Sequence, residues 1–124
     1  MASRSVLVDF QNQTSQTLTR TNFGLEGGIW SSGPNGQMVP PDQIPPNTNV
    51  TWQSESNGFL TGTQGFANYQ IAGNSSQTVA VTWDNPYAGS DSYTGVCSPP
   101  YALDPLGGEG DNATVIYTLR LPPA

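Results

Sequence analysis

The chain has 124 residues, a formal net charge of −6, no histidine, no lysine and one cysteine. Those counts exclude a His-ligated metal, a Ser-His-Asp or Cys-His catalytic centre, Schiff-base lysine chemistry and an internal disulfide. Arg4, Arg20 and Arg120 are the only basic side chains against nine carboxylates, so neither nucleic-acid binding nor electrostatic recruitment to an anionic bilayer is expected.

Polarity comes from Ser, Thr, Asn and Gln, punctuated by 14 Gly and 11 Pro. Ser5–Phe10 alternates with period two, placing Val6, Val8 and Phe10 on one face of a half-buried strand. Gln11–Ser15 is a polar turn, and Gln16–Phe23 reads as a second strand ended by Gly24. Gly27–Trp30 is short and followed by the turn sequence Ser-Ser-Gly-Pro-Asn-Gly. Pro40-Pro41 and Pro45-Pro46 bracket an extended loop or edge. Asn49–Ser54 is a strand with Val50 and Trp52 on one side, and Ser56–Gly65 a glycine-punctuated loop. Phe66–Ile71 and Thr78–Trp83 read as a hairpin joined through Ala72-Gly-Asn-Ser-Ser. Asp84 to Asn112 reads as one long polar and aromatic loop. The last strand alternates through Ala113, Val115, Tyr117, Leu119 and Leu121. About seven short strands and no sustained helical period predict one all-β domain over residues 1–124, an antiparallel sandwich or small barrel. No signal peptide and no membrane span are expected, which makes the expected protein soluble.

Asp84, Asp91, Asp104, Glu109 and Asp111 crowd the second half of the chain. Solvated turn, calcium site and catalytic pair are the alternatives, and Gly107–Asn112 is good turn sequence. Cys97 has no histidine to activate it, so an unpaired structural thiol is the expectation. Asn-X-Ser/Thr triplets start at Asn12, Asn49, Asn74 and Asn112, as chance allows in an Asn/Ser/Thr-rich chain. The aromatics carry most information. Trp52 and Trp83 lie on strand patterns, where core packing is the default. Tyr87, Tyr93 and Tyr101 sit among Pro, Gly and Ser, and a ring with a hydroxyl suits a lipid headgroup, a membrane interface or a sugar. An enzyme is not expected, nor a cofactor or metal.

The order Arg4-Ser-Val-Leu-Val, Gly27-Gly-Ile-Trp30, Ile44-Pro-Pro, Trp52-Gln-Ser-Glu-Ser-Asn-Gly-Phe59, Thr61-Gly-Thr-Gln-Gly65 and Trp83-Asp-Asn-Pro-Tyr-Ala-Gly-Ser90 resembles the aegerolysin family, which includes bacterial relatives associated with insecticidal crystals. The match runs over residues 4 to 93. The resemblance implies an actinoporin-like β-sandwich that recognises sphingolipid or sterol-containing membranes. It also implies a cytolysin (hemolysis) or one component of a two-part pore-forming toxin with a perforin-like partner. In that reading Trp83, Tyr87, Tyr93, Trp30 and Tyr101 are the lipid contacts, with Asp84 facing a headgroup amine. A lectin-like module is the alternative, since aromatics with Asn and Asp also build sugar sites. A structural or storage protein is the third.

Overall fold

The computed structural model describes residues 2–123. Two five-stranded sheets pack face to face, with a two-stranded ribbon beside them. The first sheet holds β1 (Ser5–Asn12), β3 (Ile29–Trp30), β7 (Thr48–Glu55), β11 (Ala102–Gly107) and β12 (Asn112–Arg120), in the order β11-β12-β1-β7-β3. The second holds β2 (Leu18–Gly27), β6 (Gln43–Ile44), β8 (Thr63–Ile71), β9 (Asn74–Asn85) and β10 (Ser92–Cys97), in the order β10-β9-β8-β2-β6. The ribbon pairs β4 (Ser32–Gly33) with β5 (Gly36–Gln37). The predicted β-sandwich is therefore the observed fold. One ladder departs from the antiparallel rule: β1 and β12 run parallel, Val6 beside Ala113 and Phe10 beside Tyr117.

Period-two alternation places the core as expected. Val6, Val8 and Phe10 face inward with Val115, Tyr117 and Leu119, and across the sandwich they meet Ala67, Tyr69, Ile71, Val79, Val81 and Trp83. Aromatic rings run through this layer, Phe10 to Trp52 at 6.0 Å, Trp52 to Trp83 at 6.0 Å and Trp83 to Trp30 at 6.1 Å. Gly65 on β8 makes room for them, because a Cβ there would stand 2.6 Å from Trp83 Cζ2. Buried hydroxyls find carbonyls, Tyr69 donating to Pro41 at 2.7 Å and Tyr117 donating to Thr82.

Three expectations are corrected. The supposed loop from Asp84 to Asn112 contains two strands, β10 and β11. Both are edge strands of their sheets with glycine or proline in them, and only Leu103 of the pair is buried, so their alternation is faint. The hairpin turn is tighter than expected: Ala72 and Gly73, with φ of 55° and 67°, form a two-residue turn and β9 starts at Asn74. Leu121 lies beyond β12 and is 55% exposed, so it is not a core position.

Candidate functional site

Strand register sorts the loops between two ends. Ser5, Glu55 and Asn112 are aligned across the first sheet, and Gln64, Asp84 and Ser92 across the second. Asn85 ties the sheets together at this end, its fully buried amide donating to Ser5, Gly110 and Asp111 carbonyls. The loops 56–62, 86–91 and 108–111 all emerge here.

The first two loops and the neighbouring strand β3 expose apolar side chains. Phe59 is 89% exposed, Leu60 51%, Ile29 41% and Tyr87 40%. All four line one hollow of about 500 Å³, together with Glu55 and Asn57. A second hollow of about 450 Å³ adjoins it, walled by Asn57, Leu60 and Tyr87 on the shared side and by Thr61, Gln64 and Asp84 on the other. The Asp84 carboxylate is the charged group of the second hollow. Beneath the floor, Trp83 Nε1 donates to Ser54 Oγ at 2.9 Å, and the Thr63 hydroxyl lies 2.7 Å from the same oxygen. This buried polar knot fixes the ends of β7, β8 and β9 relative to one another.

Arg4 holds the two loops together. Its backbone exchanges hydrogen bonds with Ser56, its Nη2 donates to the Tyr87 carbonyl at 2.8 Å, and its guanidinium lies 4.6 Å from the centre of the Tyr87 ring. Asp111 stands 3.5 Å from its Nη1.

A third groove, of about 450 Å³, lies between Gly89–Asp91 and Gly107–Asp111. Tyr93 forms its side, donating to the Gly108 carbonyl at 2.8 Å. Only a glycine fits at 108, since a Cβ would come within 2.2 Å of the Tyr93 ring. Asp91 Oδ2 is buried here without a hydrogen-bond partner. Burial is the main cause that pushes its carboxyl above the usual range, with Asp111, Asp84 and Glu109 adding to it and Arg4 opposing it. Asp104 is paired instead with Arg120, at 3.6 Å. Among the described residues, no three Asp, Glu, Cys or His side chains converge on a cation position.

The six predicted contacts thus fare differently. Tyr87 and Asp84 stand at the paired hollows. Tyr93 is at the same end but half-buried, with its hydroxyl already bonded. Trp30 is half-buried between Phe23, at 5.9 Å, and Trp83. Trp83 is completely buried, which corrects the expectation that it touches ligand: odd-numbered residues of β9 point into the core, and Trp83 shares that parity with Val79 and Val81. Tyr101 is corrected too. It follows β10, which carries the chain to the far end of the sandwich, and there it is partly buried against the core. The Cys97 thiol is half-buried, and burial with Asp104 raises its pKa. Of the Asn-X-Ser/Thr asparagines, Asn12 is fully buried.

Phe59 was only one of many aromatics in the sequence, while Ile29, Asn57, Leu60 and Arg4 gave no signal as site residues. The legible clue was Gly58-Phe-Leu-Thr-Gly62: two adjacent apolar residues in a glycine-flanked loop cannot both turn inward.

No family model matches the chain. Over 119 residues it is 31% identical to an uncharacterized protein of Dictyostelium discoideum, a match covering 95% of this chain and 10% of that protein. The chain thus spans about a tenth of that relative's length. Solved structures share its fold, among them the following three. The lipid-binding protein Nakanori superposes with a TM-score of 0.81 at 13% identity, over 96% of this chain and 72% of its own. RahU, in complex with a Tris molecule, gives 0.79 at 17% identity, over 100% of this chain and 99% of its own. IP-1A from Alcaligenes faecalis gives 0.72 at 15% identity, over 95% and 91%. The common element is the β-sandwich. No helix of the described residues is long and apolar enough to cross a membrane.

Proposed function

We propose that this chain is a non-enzymatic lipid-binding module that docks on membranes through the end bearing Ile29, Phe59, Leu60 and Tyr87. The observation that carries the reading is the gathering of these four exposed apolar side chains around two adjoining hollows. Contiguous apolar surface of this kind marks interaction sites. The fold likeness to a lipid-binding protein, Nakanori, supports it. Immersing Phe59 and Leu60 contributes about 1.5 to 3 kcal/mol each, a total near that of millimolar affinity. Firm binding therefore needs headgroup recognition as well. Asp84, with Gln64 and Thr61 beside it, suits a headgroup amine carrying hydroxyls, and RahU, of like fold, is known with Tris, a molecule of that chemistry.

The finer reading is a sphingolipid- or sterol-domain-recognising protein, acting as a cytolysin or as one part of a pore-forming pair with a perforin-like partner. The resemblance of residues 4 to 93 to aegerolysins supports it. Co-sedimentation with a panel of vesicles tests it, with a glycan array alongside. Binding to sphingolipid vesicles that Phe59→Ser with Leu60→Ser abolishes is the expected result. Glycan binding without vesicle binding would establish the lectin-like alternative instead.

A further inference from the structure

Asn57 lines both hollows, and Gly58 follows it in an exposed turn. Gly58 has φ +117°, and a Cβ built on it would meet no atom closer than 3.8 Å. The loop is therefore open on the side where a Gly58 side chain would stand, and glycine leaves the backbone there free to turn. Several other asparagines are tied down by side-chain hydrogen bonds. Asn12 and Asn85 each donate to several carbonyls. The Asn74 side chain accepts from Ser76, and that of Asn112 accepts from Ser5. Asn85 also precedes Pro86, which has no N–H. The other Asn-Gly pair, Asn35–Gly36, is as open, with no atom within 4 Å of a Cβ at Gly36, but there Gly36 is paired with Gly33 across the β4–β5 ribbon, whereas Gly58 lies outside any strand.

We infer that Asn57 is a spontaneous deamidation site that adds negative charge to the docking end as the protein ages. The Gly58 nitrogen gives its proton to water and attacks Cγ of Asn57. The N–Cγ bond forms, the Cγ–Nδ2 bond breaks and ammonia leaves. Water then opens the cyclic imide at either carbonyl, giving aspartate or isoaspartate. One water is consumed, one ammonia is released and nothing is oxidised or reduced. The new carboxylate shares one hollow with Glu55 and the other with Asp84, on the loop that bears Phe59 and Leu60. A further charge held within a Debye length of a membrane surface, in a water-like medium, weakens docking to anionic lipid by roughly twofold to threefold. This consequence rests on the lipid-docking reading; the chemical step does not.

The test incubates the whole chain in warm, mildly alkaline buffer, then cleaves it at aromatic residues for mass spectrometry. The peptide containing Asn57 gains the mass of an NH2-to-OH exchange and becomes a substrate for isoaspartyl methyltransferase, ahead of the peptide containing Asn35. Asn57→Gln removes the shift. No conversion at Asn57, or slower conversion there than at Asn35, overturns the inference. Aged and fresh protein are then compared on vesicles of sphingomyelin, cholesterol and phosphatidylserine. Twofold to threefold weaker binding of the converted protein supports its effect on docking, and equal binding overturns that effect. If fresh protein binds no vesicle, the docking reading and the proposed effect fall together, while the mass shift stands by itself.

Discussion

The Arg4 guanidinium lies over the Tyr87 ring, 4.6 Å from its centre, and donates to the carbonyl of the same residue at 2.8 Å. Residues 83 positions apart are so joined that an N-terminal side chain sets the position of the exposed ring at the hollows. Arg4→Ala removes this contact, the hydrogen bond and the Asp111 pair. An expected loss is about 1 to 2 kcal/mol, discounted for the exposure of Asp111 and Tyr87. Urea unfolding measures it. Hydrogen exchange should rise in residues 86–91 more than in the strands.

Trp83 and Phe59 should separate folding from binding. Trp83→Ala opens the core where three tryptophans meet and removes one of the two donors to Ser54 Oγ, at a cost of about 3 to 5 kcal/mol. Phe59→Ser with Leu60→Ser changes stability by less than about 0.5 kcal/mol, because both side chains already face water. Vesicle binding of the double variant falls by at least roughly tenfold, from the lost burial. Thermal melts alongside co-sedimentation distinguish the two outcomes, and a well-folded Trp83→Ala protein would show the core described here to be wrong.

The two exposed ends make a second contrast. Tyr87→Ala weakens vesicle binding, whereas Tyr101→Ala, at the far end, leaves it unchanged. Equal losses from both substitutions would mean that docking uses a side of the sandwich and not the end.

Asp91 gives a pH dependence whose sign is unusual for a carboxylate. Its folded pKa is raised by burial, so the native state holds the proton more tightly than the unfolded chain does. Stability from this group is therefore lost as pH rises from the ordinary carboxylate value through the raised one. Above that window the full penalty of a buried, unpartnered oxygen is present. Asp91→Asn should raise Tm at neutral pH, and its advantage should vanish below the unfolded carboxylate pKa. Melts of both proteins across the acid range check this; an advantage independent of pH would point to a cause other than charge.

Recognition by aromatic faces and neutral hydrogen bonds predicts weak dependence on salt. Binding to zwitterionic vesicles should change by less than about twofold between low and high ionic strength. A steep decline would assign the affinity to charge.

Alternation in the chain was enough to place Val6, Val8, Phe10, Val79, Val81, Val115 and Tyr117 in a sandwich core, because a sheet with one buried face imposes period two on each strand. The absence of His and Lys settled which chemistries are closed. Edge strands β10 and β11 escaped notice because an edge position tolerates the glycine and proline that a central strand does not. The site itself depended on tertiary structure. Trp83 and Asp84 are consecutive, yet one is sealed in the core and the other walls a hollow. Tyr87 and Tyr101 belong to one aromatic stretch, yet β10 runs between them and takes them to opposite ends. Phe59 and Tyr87 are distant in sequence and line the same hollow. Parity along a strand is a local property that composition and spacing express. Which loops share an end follows from long-range strand pairing, and only the folded sandwich decides that.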